Sequence, residues 1–295
     1  MAIAHEFNYE KPGSLGEALA LLTQYGSRAQ ILAGATDLAV QLKEGMVTPE
    51  CLIDIKGLSE LNTLEKRDGQ LIIGANVTFT QLAESDLVRS ELPMLAESSL
   101  TVASVGVRNR ATIAGNICSA VPSLDSAPAL LVYDAVVVVK SEKGTREIKI
   151  TEWFKAPRKT AMTDDELVHE IRVPIPEVKH RGVSVKLGRY RGEDLSQAGV
   201  GVMITETNRY TVAFNAVGPV PVRSAKIEAL LEGKKLDEAL LKEARAQVPG
   251  EISPITDIRA SKEYRVHMCQ VMLGRALNAA SDLLAGKSVD IEHLV

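Results

Sequence analysis

Apolar residues recur at helical spacing in several stretches of the chain. The first stretch covers residues 14–25 and opens with Ser14 and Glu17 at the spacing of a capping box. Its leucines fall on one face, as expected of an amphipathic helix. The same reasoning predicts further helices at 38–43, 78–84, 93–103, 224–232, 236–247 and 261–285.

Short apolar runs between these stretches predict strands. Asp68-Gly69 separates two of the runs and is a strong signal for a hairpin turn. Residues 108–128 carry Gly, Asn, Pro and Ser without clear periodicity, so a long loop is expected there. The expected strands cover 30–33, 51–55, 61–66, 70–75, 136–140, 145–150, 167–173, 182–190, 198–206 and 210–217.

The order of these elements predicts an α+β protein of three parts. Residues 1–57 are βαβ-like, and residues 58–177 contain two hairpins and several helices. Pro174–Val178 is the best linker candidate. Residues 178–295 place three strands before three helices, which favours a separate α+β domain.

Composition excludes several classes of protein. The formal net charge is -4 and the Lys and Arg residues are dispersed, which argues against a nucleic-acid binder. No apolar stretch approaches the ~18 residues of a membrane span. The first residues lack a basic region followed by an apolar run, so a cytoplasmic location is expected.

Metal chemistry is not expected in this chain. The three cysteines, Cys51, Cys118 and Cys269, are far apart and form no CxxC pair for zinc. They are too few for an iron–sulfur cluster, which takes about four thiolates. The five histidines lack metal-ligand spacing. Each cysteine is most simply a small buried hydrophobic residue.

Two segments are candidates for binding chemistry. In residues 31–38, a predicted strand passes through Gly34-Ala35-Thr36-Asp37 into a predicted helix. Successive N–H groups at such a turn form an anion site, although many ordinary strand–turn–helix junctions look alike. Residues 112–120 again combine small residues with hydroxyl and amide side chains, and a bland polar loop is the alternative. Two such segments suggest a long ligand held from both sides.

Familiar fingerprints do not account for the two segments. The sequence contains no G-x-G-x-x-G after a strand, no Walker A motif, no HExxH and no GxSxG. No pair of carboxylates and no triad stands out as an acid–base apparatus. A catalytic residue in that sense is therefore not predicted.

The order of several motifs resembles one family closely. The segments Ala33-Gly34-Ala35-Thr36-Asp37-Leu38 and Thr112-Ile113-Ala114-Gly115-Asn116, with Pro122 and Asp125 beyond them, resemble the two FAD-pyrophosphate motifs of the molybdenum hydroxylase flavoproteins. These are the FAD-binding medium subunits of the xanthine dehydrogenase and aerobic carbon monoxide dehydrogenase family. The likeness continues through residues 166–174, Lys186 with Arg189 and Arg191, and Ser261 with Tyr264-Arg265.

The resemblance implies a fold and a set of site residues. The fold would be the two-subdomain FAD-binding fold of the PCMH/vanillyl-alcohol-oxidase type, followed by a domain with a three-stranded antiparallel sheet and helices. Val168 would lie near the isoalloxazine, and Lys186 would be a cation that favours the reduced flavin. The implied cofactor-binding residues are Ile31, Leu32, Ala33, Gly34, Ala35, Thr36, Asp37, Leu38, Val102, Ala103, Ala111, Thr112, Gly115, Asn116, Cys118, Ser119, Leu124, Asp125, Val168 and Lys186.

The resemblance also implies a function shared with partner chains. A large molybdopterin-binding subunit would oxidise the substrate, and a small [2Fe–2S] subunit would pass electrons to FAD on this chain. An acceptor such as NAD+ or a quinone would then be reduced, and the assembly would be a heterotrimer or a dimer of heterotrimers. Two alternatives stay open: a flavin-poor docking module of the same complex, and a self-contained flavin oxidoreductase.

Four details of the motifs carry open questions. The family usually has Gly at the positions of Ala35 and Ala114. Where the backbone needs a positive φ, Ala lowers the conformational stability by about 1 kcal/mol relative to Gly. Asp125 could bond cofactor hydroxyls, or cap a helix before Ser126-Ala127-Pro128. Lys186 could instead reach solvent as an ordinary strand lysine. Arg189 and Arg191 should share one face of a strand, where they could meet an anionic acceptor or simply face solvent.

Overall fold

The computed structural model describes residues 3–190 and 192–295, without the side chain of Glu292. Arg191, expected to share a strand face with Arg189, lies outside the described residues.

The first sheet has three parallel strands in the order β1-β3-β2. These strands are β1 (Asn8–Glu10), β2 (Ala29–Leu32) and β3 (Cys51–Asp54). Helix α1 (Leu15–Tyr25) and helix α2 (Leu38–Lys43) connect these strands. Ser14 caps α1 as predicted, because its side chain accepts a hydrogen bond from the N–H of Glu17.

The next part of the chain builds a five-stranded antiparallel sheet. Strands β4 (Leu64–Arg67) and β5 (Gln70–Gly74) form the predicted hairpin, with φ of 49° at Asp68 and 72° at Gly69. Six helices follow: α3 (Phe79–Glu84), α4 (Asp86–Glu91), α5 (Pro93–Leu100), α6 (Val105–Arg108), α7 (Ile113–Ser119) and α8 (Ala127–Val132).

The sheet is completed by strands from the second half of this region. Its order is β4-β5-β10-β6-β7, where β6 is Val136–Ser141, β7 is Gly144–Lys149 and β10 is Leu167–Pro174. Between β7 and β10 lie α9 (Ile150–Trp153) and a small two-stranded sheet of β8 (Phe154–Ala156) and β9 (Lys159–Thr160). Helix α1 contacts both β3 and β6, so the first two sheets share one hydrophobic core.

The prediction of a continuous loop over residues 108–128 is wrong. Helix α7 begins at Ile113, and the Thr112 side chain caps it by accepting a hydrogen bond from the N–H of Gly115 at 3.0 Å. Helix α8 begins at Ala127. Both helices have fewer than two full apolar repeats, so no helical period is visible in the sequence.

The C-terminal part contains an antiparallel sheet in the order β11-β12-β13-β14. Its strands are β11 (His180–Leu187), β12 (Ala198–Thr205), β13 (Tyr210–Asn215) and β14 (Val222–Arg223). The expected three-stranded sheet is therefore corrected to four strands, because β14 has two residues and shows no periodicity. The helices are α10 (Ala225–Leu231), α11 (Glu238–Glu251) and α12 (Lys262–Leu284).

Strand β12 is buried on both faces and joins two cores. Val200 and Val202 belong to the core that contains α12, whereas Met203 belongs to the core that contains helices α3 to α8, called the FAD-side helices after the expected cofactor. Gly201 faces α5 and α8, where an added Cβ would come within 2.7 Å of Pro128 Cβ. Small residues on this face therefore let the helices pack directly against the sheet.

The domain limits at 57/58 and 177/178 stay predictions.

Candidate functional site

The two predicted segments meet backbone to backbone. Gly34 lies in the turn between β2 and α2, and a Cβ placed there would be 2.0 Å from the carbonyl oxygen of Arg110. The same Cβ would be 2.9 Å from Ala111 Cα. Only glycine allows the first segment to approach residues 110–111 this closely. The structure thus brings together two pieces of chain that are 76 positions apart in sequence, from Gly34 to Arg110.

The turn at residues 33–37 offers a row of backbone donors. Within the described part of the chain, the N–H groups of residues 34–38 donate no hydrogen bond to another protein group. Such a row of unpaired N–H groups before a helix suits a phosphate. The family's phosphate-bearing cofactor therefore fits this turn.

The two departures from the family motif differ in their cost. Ala35 has φ of 62°, in the left-handed region where a Cβ is unfavourable. Ala114 is the second residue of α7 and is not among the positive-φ residues, so alanine is unstrained there. The predicted strain therefore falls on Ala35 alone.

A polar cleft opens beside the contact between the segments. Two cationic residues, Lys56 and Arg110, line it, and neither was predicted as a site residue. The Oδ1 atom of Asn76 in this lining is buried and has no hydrogen-bond partner among the residues that the structure describes. Lys56 could have been anticipated, because it follows β3 at the sheet edge where β2 ends. The lining consists of Ala33, Gly34, Lys56, Asn62, Asn76, Thr78, Asn109, Arg110 and Thr112.

Asp125 and Lys186 form an ion pair between the two large parts of the chain. Lys186 Nζ lies 2.7 Å from Asp125 Oδ2 and donates a second hydrogen bond of 2.9 Å to the carbonyl of Thr101. The hydroxyl of Ser196 donates to Asp125 Oδ1 at 2.7 Å. Burial raises the pKa of the Asp125 carboxyl, and the charge of Lys186 and both hydrogen bonds oppose that rise.

This geometry decides two of the open alternatives. Ser126, not Asp125, precedes the first residue of α8, and the Asp125 oxygens accept from Lys186 and Ser196, so the helix-cap interpretation of Asp125 is wrong. The Lys186 side chain is 15% exposed and paired, so it does not extend into solvent. Arg189 follows the end of β11 at Leu187 and pairs with Asp194 at 3.3 Å, so its expected position on a strand is also wrong.

Hydrogen bonds link Asn116 and Ser119 of α7 with Ser126, which precedes α8. Ser126 donates to Asn116 Oδ1 at 2.7 Å, and Ser119 donates to the Asn116 carbonyl at 2.9 Å. Burial raises the pKa of the Cys118 thiol to about 12, so it is protonated at neutral pH. The Cys118 thiol is therefore neutral, and its contact with the cofactor stays a prediction.

The remaining predicted residues divide by exposure. Residues 31–36 and 38 are half-buried, as is Ala103, while Asp37 and Gly115 are exposed. The side chains of a second group are buried in the core, and their cofactor contacts stay predictions. This group consists of Val102, Ala111, Leu124 and Val168.

Comparison with known proteins agrees with this architecture. The family described as the FAD binding domain in molybdopterin dehydrogenase matches residues 5–176, and the CO dehydrogenase flavoprotein C-terminal domain matches residues 184–280. A putative xanthine dehydrogenase FAD-binding subunit of Escherichia coli is 30% identical over 286 residues, or 95% of this chain and 98% of the relative. The glyceraldehyde dehydrogenase medium chain of Sulfolobus acidocaldarius is 31% identical over 275 residues, or 92% of this chain and 97% of the relative.

A solved structure extends the likeness to three dimensions. A chain of the carbon monoxide dehydrogenase of Hydrogenophaga pseudoflava superposes with a TM-score of 0.91 at 32% identity, covering 95% of this chain and 99% of that one. Fold and site together define a PCMH-type flavoprotein with an added α+β domain. The chain belongs to the FAD-binding medium subunits of the xanthine dehydrogenase and carbon monoxide dehydrogenase family of molybdenum hydroxylases, which makes it an oxidoreductase subunit with FAD as cofactor.

Among the described residues, no helix combines the length and the apolar character needed to cross a membrane.

Proposed function

We propose that this chain is the electron-transfer subunit of a three-chain molybdenum hydroxylase. The contact of Gly34 with the Arg110–Ala111 backbone carries the proposal, because it joins the two motifs expected to hold the FAD phosphates. The chemistry supplied by bound FAD would be the transfer of electrons from the [2Fe–2S] clusters of a small partner subunit to an external acceptor such as NAD+ or a quinone. A large molybdopterin-binding subunit oxidises the substrate.

The residues of this chain would bind and orient the cofactor. The unpaired N–H groups of residues 34–38 would donate hydrogen bonds to the phosphates, and the start of α7 would approach them from the other segment. Asp125 and Lys186 would lie at the other end of the site. There the ammonium group of Lys186 would favour the reduced flavin, which carries more negative charge. Val102, Ala103, Cys118, Ser119, Leu124 and Val168 are proposed to line the space between.

One observation favours the alternative of a flavin-poor docking module. The left-handed φ of 62° at Ala35 strains the turn that should hold phosphate. Alanine there costs about 1–2 kcal/mol, which corresponds to roughly a tenfold weakening of binding if the strain is released only in the FAD-free state. The strain is too small to abolish a site with many hydrogen bonds, so the flavoprotein function is preferred.

The test is purification of the chain alone, followed by its visible spectrum and quantification of released cofactor. A flavin spectrum with about one FAD per chain is the expected result. A colourless chain that also fails to bind added FAD would contradict the proposal and favour the docking module. Co-expression with candidate molybdopterin and iron–sulfur subunits then distinguishes a complex subunit from a self-contained flavin oxidoreductase, because only the former co-purifies with two other chains. The expected cytoplasmic location stays a prediction.

A further inference from the structure

The loop of residues 120–126 connects α7 to α8 and carries Asp125. Two of its carbonyl groups are bonded by the end of β13 in the C-terminal sheet. The N–H of Ala216 donates to the Pro122 carbonyl at 2.7 Å, and Asn215 Nδ2 donates to the Leu124 carbonyl at 2.8 Å. The backbone carbonyls of the loop therefore receive one backbone and one side-chain hydrogen bond from a distant part of the chain.

The Asp125 carboxylate at the end of this loop is also held from the C-terminal side. Ser196 donates to Oδ1 and Lys186 donates to Oδ2, each at 2.7 Å. Ser196 is 3% exposed and Asn215 is 2% exposed, so water does not compete for these bonds. Residues outside the loop thus fix the orientation of the Asp125 carboxylate.

The donors are themselves fixed by a buried arginine. Arg265 Nη1 donates to the carbonyls of Gln197 at 2.6 Å and Ala216 at 3.2 Å, which are neighbours of Ser196 and Asn215 in sequence. Its Nη2 atom bonds Asp257 Oδ1 at 2.7 Å. The guanidinium group therefore ties the two donor segments to the start of α12.

The side chain of Asn215 has its position set by a glycine. A Cβ added to Gly199 on the neighbouring strand would come within 1.8 Å of Asn215 Oδ1. The amide therefore occupies space that any other residue at position 199 would fill. This packing leaves Nδ2 directed at the Leu124 carbonyl.

We propose that Ser196 and Asn215 are positioning residues through which the C-terminal domain fixes the 120–126 loop, and with it Asp125, for FAD binding. This inference rests on the proposed function. It assigns the C-terminal domain a direct part in building the cofactor site, with Arg265 as the anchor of both positioning residues.

Two variants test the proposal by different chemistry. Ser196→Ala removes only the hydroxyl bonded to Asp125, and Asn215→Asp replaces the amide donor by an isosteric carboxylate, which in its ionised form cannot donate to the Leu124 carbonyl. Ser196→Ala loses a hydrogen bond to a charged group, and Asn215→Asp leaves a buried carbonyl unpaired. If the loop is then no longer held in its FAD-binding position, either loss corresponds to roughly a tenfold or larger weakening of FAD binding. We therefore expect the dissociation constant for FAD to rise about tenfold in each variant.

Thr211→Val is the matched control. Thr211 lies on the same strand as Asn215, is 1% exposed and donates its hydroxyl to the Val132 carbonyl at 3.1 Å. This bond also crosses to the FAD-side helices, but it ends at α8 and not in the 120–126 loop. The control should lose stability like the test variants and keep the FAD affinity of the parent chain.

Amide hydrogen exchange of the full chain, without added FAD, supplies a readout that does not depend on the cofactor. Faster exchange in the 120–126 loop of Ser196→Ala and Asn215→Asp, but not of Thr211→Val, together with weaker FAD binding, supports the proposal. Unchanged exchange in that loop overturns it, and so does unchanged FAD affinity. If the parent chain binds no FAD, the proposed function fails, and with it the role assigned to the two residues; faster loop exchange would then show a purely structural contact.

Discussion

Lys186 on β11 donates a hydrogen bond of 2.7 Å to Asp125, which precedes α8, and the pair connects the C-terminal sheet with the FAD-side helices. The two side chains are 15% and 12% exposed. A pair this buried contributes little net stability, yet removing one partner leaves the other charge without compensation.

Replacing Lys186 alone should therefore be more harmful than replacing both partners. Lys186→Met is expected to lower the free energy of unfolding by about 3 kcal/mol, because the Asp125 carboxylate then stays buried and unpaired. The double variant Lys186→Met/Asp125→Asn should recover part of this loss. Chemical denaturation of the parent, both single variants and the double variant measures the coupling, and strictly additive effects would contradict the pairing.

Ala35→Gly should stabilise the chain and tighten FAD binding. The backbone φ of 62° at Ala35 costs an alanine about 1–2 kcal/mol and a glycine almost nothing, while the added freedom of the unfolded chain offsets part of the gain. A net gain of about 0.5–1 kcal/mol is expected in denaturant unfolding. Ala114→Gly is the control, because this position is helical and glycine there should cost up to about 1 kcal/mol. Equal effects at both positions would refute the assignment of strain to Ala35.

Gly34→Ala should separate the two segments. The new methyl group would lie 2.0 Å from the Arg110 carbonyl oxygen, so the backbones must move apart. Overpacking of this kind costs about 1–3 kcal/mol, and FAD binding should fall below detection by fluorescence titration. Gly106→Ala is the matched control, since apart from its chain neighbours and the backbone of its own helix no described atom lies within 4 Å of its added Cβ. Full FAD affinity in Gly34→Ala would show that the contact is not part of the site.

Glu97 on α5 should make stability depend on pH. Burial raises the pKa of its carboxyl to about 7, although the charge of Arg181 opposes the rise. The unfolded chain loses this proton near pH 4.3, so the contribution of Glu97 to stability is present below about pH 4 and is lost as the pH rises through about 7. Glu97→Gln should therefore be more stable than the parent at about pH 8, by about 2 kcal/mol, with little difference at about pH 4.

The control for Glu97 is Glu243→Gln, a change on the exposed face of α11. Urea unfolding of the three proteins across this pH range provides the measurement. A pH-independent difference between Glu97→Gln and the parent would contradict a raised pKa.

Local interactions between residues that are close in sequence determined much of the secondary structure. Ser14 and Glu17 define the start of α1, because the cap is satisfied within one turn of chain. Asp68-Gly69 defines the first hairpin, because these residues tolerate the positive φ that the turn requires. The paired small-residue motifs predicted the family, since their order along the chain is itself a property of the sequence. Elements with fewer than two full repeats, such as α7 and β14, left no period to detect.

Tertiary structure decided which residues meet. That Gly34 touches the Arg110 backbone, and that Ala35 is strained while Ala114 is not, depends on backbone angles set by packing between distant segments. The pairing of Asp125 with Lys186 and Ser196 joins residues 61 and 71 positions apart. Such contacts depend on how the sheets pack, because a hydrogen bond is directional and a one-residue shift of β11 would turn Lys186 to the other face.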